Sequence, residues 1–150
     1  MSLNLKVIQL SDLDQILDFE KKKLIESVTD EMDREFAAWN SRWRREALEH
    51  YLPMGWSFLA KDLDETLIGY FIAQPMLFID GQTQSLWIEH LQFSTLQARD
   101  ELCELAYKLA KEKHFQKVYF PQQNTIENAV KALKAEVWAP PVLQIKTTKV

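Results

Sequence analysis

A glutamate stands in the middle of the mostly apolar run Leu86-Trp87-Ile88-Glu89-His90-Leu91-Gln92-Phe93. The run alternates as a strand does, so Glu89 projects to the side opposite Ile88 and His90. A carboxylate in a partly desolvated cleft is suited to act as a base; on a wet sheet face it would only pair across a hairpin. His90 has the intrinsic pKa of a base, but its place on the other side of the strand suits packing better. His50 and His114 fall at helix ends, where a partial positive charge complements the dipole. Cys103 lies on an amphipathic stretch and reads as a buried, inert thiol. One cysteine makes neither an internal disulfide nor a thiolate zinc site, and no His, Asp and Glu spacing makes a metal site.

These side chains need a scaffold, and the chain is long enough for one. Its 150 residues are 47% hydrophobic and 27% charged, the balance of a globular domain rather than of a disordered chain. A net charge of −4 argues against nucleic acid as the main partner. No run approaches the roughly 18 apolar residues of a membrane span, and the start lacks a secretion signal. The expectation is a single cytoplasmic domain over residues 1–150, with no membrane partner. Only 3 residues are glycine, which bears on any phosphate loop built from bare backbone.

Hydrophobic period places the elements. Leu3 to Leu10 alternates as a strand, and Ser11, Asp12 and Asp14 open a helix that carries Leu13, Ile16, Leu17, Leu24 and Ile25 on one face. A second helix is predicted from Glu31 to Tyr51, ended by Pro53 and Gly55. Strands follow over Trp56–Lys61, over Thr66–Gln74 with a break or bulge at Pro75, and over Leu86–Phe93 after an Asp80-Gly81 turn. A helix over Asp100–His114, a short strand at Val118–Phe120, a helix over Thr125–Ala135, and one or two strands interrupted by Pro140-Pro141 complete the chain. The strand–helix–strand crossover makes its two strands parallel. The fold class is therefore α/β with a mixed, mostly antiparallel sheet and helices on both faces.

This order resembles the GNAT acyltransferases. Asp64-Glu65-Thr66-Leu67-Ile68-Gly69-Tyr70-Phe71 is similar to that family's turn into its third strand. The Glu89 run is similar to its fourth strand, and Ala110-Lys111-Glu112-Lys113-His114-Phe115 to the helix end before its fifth. The resemblance covers essentially the whole chain. It implies acetyl-CoA as acyl donor, direct transfer to a small-molecule amine, and Glu89 as catalytic base. It also implies that strands four and five splay near Leu91 to Phe93 to admit a pantetheine arm. Leu91, Phe93, Gln97, Ala98, Arg99 and Asn124 are the cofactor-binding positions it points to.

Two departures accompany the resemblance. The family's glycine-rich phosphate signature falls on Ser94-Thr95-Leu96-Gln97-Ala98-Arg99, which has no glycine. Glycine there lets backbone N–H groups approach a pyrophosphate without a Cβ in the way; Arg99 would substitute a side-chain contact, or lie in solvent. The tyrosine that protonates the leaving thiolate in the family is Leu133 here and the family's asparagine falls on Ile126; Asn124 or Asn128 would take that role in a shifted register, with helix N-capping the simpler reading of Asn124. Trp39, Trp43, Tyr51 and Trp56 suit either the core or an acceptor wall. Arg42, Arg44 and Arg45 suit ion pairs with Glu46 and Glu49, or phosphate binding. A GNAT-like binding domain without coenzyme is the alternative function, and a homodimer joined through the final strands is a third reading.

Overall fold

The computed structural model describes residues 3–138, 140 and 142–147. Five strands, β1 (Asn4–Val7), β2 (Phe58–Lys61), β3 (Leu67–Leu77), β4 (Gln84–Phe93) and β5 (Lys117–Tyr119), form one sheet in the order β1-β2-β3-β4-β5. The first three joins are antiparallel and β4–β5 is parallel, the mixed topology expected from the sequence. Five helices complete the order: α1 (Leu13–Ser27), α2 (Glu31–Trp39), α3 (Arg45–Tyr51), α4 (Leu96–Glu112) and α5 (Asn124–Val130).

Helices cover both faces because β3 is apolar on both. Phe71 and Ala73 join Leu86, Ile88 and Leu91 of β4 in a core closed by Leu102 and Ala106 of α4 and Ile126 of α5. Tyr70 and Ile72, on the opposite side, pack with Ile16 and Leu17 of α1 and Leu48 of α3. A strand buried on both faces reads as an uninterrupted apolar run, and Leu67–Ala73 is one.

Several boundaries differ from those read in the sequence, each for a local reason. The helix expected over 31–51 is broken after Trp39. There the Asn40 side chain and backbone N–H both donate to the Phe36 carbonyl, and Ser41 Oγ donates to the Ala38 carbonyl at 2.8 Å. Such local bonds replace continued helix. Pro75 does not interrupt β3; it sits in register with Leu86, and the bulge falls nearer the strand's middle. α4 begins at Leu96 because Thr95 caps it, its Oγ1 accepting from the Ala98 N–H at 3.1 Å. It ends where His114 turns left-handed at φ +63°. α5 stops at Val130 and closes in one 3-10 turn.

The tail corrects the expectation most. Residues 142–147 carry no strand, and Val142, Leu143 and Ile145 lie exposed. Prolines at 140 and 141 bring no N–H with which to extend the β5 edge. The expected tail strands otherwise fall on residues 139, 141 and 148–150, outside those described. Among the described residues no helix is long and apolar enough to cross a membrane.

Candidate active site

The bulge that β3 avoids at Pro75 lies opposite Glu89. Ile72 pairs with His90 and Ala73 with Ile88, so Glu89 is an extra residue in β4 without a partner on β3. An extra residue resets the pleat. The expectation that Glu89 and His90 face opposite sides is thereby overturned: both lie on the face covered by α1 and α3. Glu89 meets Tyr51 of α3, and His90 meets Glu20 of α1.

The same irregularity ends the sheet on the other side of β4. Pairing with β5 covers only Ser85, Leu86 and Trp87, opposite Lys117, Val118 and Tyr119. β5 itself ends at Tyr119, so this edge of β4 opens from Ile88 onward, the Leu91–Phe93 stretch included, with no strand paired beside it. Glu89 stands where it begins.

Its carboxylate is closely held. Oε2 accepts from the Trp87 indole N–H at 2.8 Å and from the Tyr51 hydroxyl at 3.1 Å. Arg42 Nε lies 3.8 Å from Oε1, and the same guanidinium donates to the Glu89 carbonyl at 3.2 Å. The Glu89 side chain keeps 24% exposure, enough for a ligand atom to reach it. Burial, and next the negative charge of Glu89, push the Tyr51 hydroxyl up to about 12. Tyr51 is accordingly a hydrogen-bond donor at neutral pH, not an acid. The arrangement orients one anion at the mouth of the opening.

Beside it lies a cluster that sequence reasoning missed. Glu20 is 3% exposed, and its Oε2 is 3.2 Å from His90 Nε2. Glu20 Oε1 and the Tyr70 hydroxyl are buried without a hydrogen-bond partner among the described residues. Burial, then Glu20, raises the Tyr70 hydroxyl well above its ordinary range. The signal was available: Leu13, Ile16, Leu17, Glu20 and Leu24 share one helical period, so Glu20 stands on the inward stripe despite the lysines that follow it.

The other predicted positions fall into two groups. Leu91 is buried in the α4-side core with Phe93 packed against it, and Ala98 is fully buried. Gln97 is exposed and donates to Glu101 at 2.8 Å. Arg99 Nε donates to Asp100 at 2.9 Å and its terminal nitrogen to the Thr125 carbonyl at 3.2 Å, tying the start of α4 to that of α5. Asn124 is exposed at the first position of α5, and the cap residue is Gln123, so the N-cap reading of Asn124 is corrected. Ala98 and Arg99 spend their own N–H groups on Thr95. Of the four aromatics around the second helix, Trp43 and Tyr51 are core, Trp39 is exposed, and Trp56 stacks with Phe115 on the far face. Only the Tyr51 hydroxyl among them reaches Glu89. Cys103 is buried, its thiol pushed up to about 12 by burial.

A groove of about 1120 Å³ runs along the free side of β5. Arg42 and Trp87, two of the partners of Glu89, line one end, and Tyr119, Ile126, Leu133 and Trp138 line the rest. Glu89 itself, Leu91, Phe93, Gln97, Ala98, Arg99 and Asn124 lie outside its walls. The fit of a coenzyme is thus divided. The open edge of β4 suits an extended pantetheine arm, whereas the α4 start offers neither glycine nor an unengaged arginine for the phosphates.

No family model matches the chain, and neither does any curated protein. Solved structures do. TTHA1254 from Thermus thermophilus is similar at 19% identity and TM-score 0.63, with 98% of each chain covered. A predicted acetyltransferase from Clostridium acetobutylicum, solved with acetyl-CoA, has 11% identity and TM-score 0.66, covering 97% of this chain and 96% of its own. AAC(6')-Iy, bound to the bisubstrate analogue CoA-S-monomethyl-acetylneamine, has 14% identity and TM-score 0.65 over 99% of this chain and 100% of its own. With the sheet order, the β4 bulge and the short parallel β4–β5 join, these likenesses show that the chain has the GNAT fold.

Proposed function

We propose that residues 1–150 form one acyltransferase domain that moves an acetyl group from acetyl-CoA to a small amine by direct transfer, acting in the cytoplasm. The observation that carries this reading is the β4 bulge, which sets the Glu89 carboxylate just past the end of the β4–β5 pairing. Acetyl-CoA brings the thioester carbonyl. The amine enters the step neutral, its ammonium proton having gone to solvent. As its nitrogen forms the N–C bond, Glu89 takes the proton that the nitrogen gives up. The C–S bond breaks, the thiolate leaves and takes a proton from water, and Glu89 returns its proton to the hydroxide so formed. Trp87 and Tyr51 hold the carboxylate in one orientation. On this reading Leu91 and Phe93 would meet the pantetheine arm, and Gln97, Ala98, Arg99 and Asn124 would meet the phosphates. Arg99 serves there only by leaving Asp100 and Thr125.

That last contact favours a second reading, a GNAT-fold domain that binds a ligand without coenzyme. Leu133, which has no proton to give, and the glycine-free stretch 94–99 support it as well. One experiment separates the two. Thiol release from acetyl-CoA is followed across an amine panel, and melting temperature is measured with and without acetyl-CoA. Binding at 100 times Kd adds about 2.7 kcal/mol, a clear melting shift. Turnover that depends on Glu89 supports the enzyme; no shift and no turnover support the binding domain.

A further inference from the structure

On the face of the sheet covered by α1 and α3, Glu89 is met by Tyr51 of α3 and by Arg42 of the loop before it. Beyond them three aromatic rings line the groove. Trp87 and Tyr119 are directly paired across the parallel join, so their side chains stand on the same face; their ring centroids are 5.9 Å apart. Trp138, arriving from beyond α5, stacks against Tyr119 at 4.7 Å and 49°. All three rings are half-buried and line the groove. The Tyr119 hydroxyl is buried without a hydrogen-bond partner among the described residues.

We propose that Trp87, Tyr119 and Trp138 form an acceptor wall that selects amines bearing an aromatic group. The inference rests on the acyltransferase reading above, since it treats the groove as the acceptor's approach to Glu89. The wall begins at the catalytic anion: the Trp87 indole that donates to Glu89 is its first ring. An arylalkylamine placed with its nitrogen at Glu89 lays its ring along Tyr119 and Trp138, where offset or edge contacts are favourable. The cationic form of the same amine gains from the indole faces as it enters. A straight-chain amine of equal length would bury apolar surface there but lose the ring–ring contacts. Arg42, at the same end of the groove, disfavours a second positive charge beside Glu89, so a diamine fits less well than a monoamine.

The test is isothermal titration of the full chain, without acetyl-CoA, against 2-phenylethylamine, hexylamine and putrescine. The expected result is about tenfold tighter binding of 2-phenylethylamine than of hexylamine, as two aromatic contacts supply, and weaker binding of putrescine than of either. Trp138→Leu should cut the aromatic preference below about threefold, and Trp138→Phe should keep most of it. Melting curves check that the variants fold, and the wild-type comparison stands whether or not they do. Equal affinity for 2-phenylethylamine and hexylamine, a preference unchanged in folded Trp138→Leu, or binding of none of the amines would overturn the wall. Aromatic preference without thiol release would keep the wall and reject the transfer reading; thiol release without preference would do the reverse.

Discussion

The Trp87 indole N–H donates to Glu89 Oε2 at 2.8 Å, between residues two apart on one strand. The contact joins the last residue of β4 paired to β5 with the residue that bulges away from β3. The carboxylate is thus anchored to the intact part of the sheet while standing at its opening.

Glu89→Gln keeps the shape and can still accept from Trp87, but takes no proton. It should lower kcat by about 10²- to 10⁴-fold with little change in KM. Thiol release under saturating acetyl-CoA measures it, and undiminished turnover would remove Glu89 as base.

Tyr51 predicts an alkaline effect. Its hydroxyl, ordinarily near 10, is pushed up to about 12, so the folded chain keeps a proton that the unfolded chain has released. The resulting stabilisation is complete below about pH 10 and is lost as pH rises towards about 12. Tyr51→Phe has no such proton. Its melting temperature should fall less steeply than wild type over that window, and parallel curves would contradict the assignment.

Cys103 is buried, and its thiol is raised to about 12. At pH 8 the native chain should react with a thiol reagent only as fast as it opens, and at full rate in denaturant. Rapid labelling of the native chain would place the thiol at the surface.

Gly69 is where α4 rests on β3. A Cβ there would lie 3.0 Å from Leu102 Cδ1, 3.1 Å from the Gln92 carbonyl oxygen and 3.3 Å from Ala98 Cβ. Gly69→Ala should cost about 1–3 kcal/mol, as overpacking does, read as a lower midpoint in urea at unchanged slope. A neutral result would mean that the first turn of α4 shifts freely.

By itself the sequence determined the element order from β1 to α5 apart from the break after Trp39, the parallel crossover and the run holding Glu89, because each is written in local period or in turn residues. It also marked the missing glycines at 94–99 and the leucine at 133, since an absent residue type is visible without coordinates. Only the tertiary structure decided which way the site faces. The Glu89 bulge depends on how β4 registers against β3, and strict alternation carries no sign of one extra residue, so His90 was assigned the wrong side. The break after Trp39 turned on side-chain bonds from Asn40 and Ser41 that compete with an otherwise helical pattern. The inward place of Glu20 was legible in helical period but was not read there, and its meeting with His90 needed α1 docked on the sheet. Trp87, Tyr119 and Trp138 lie far apart in the chain and became neighbours through strand pairing and the return of the chain after α5. Local composition records which residues are apolar; which of them meet is set by long-range pairing.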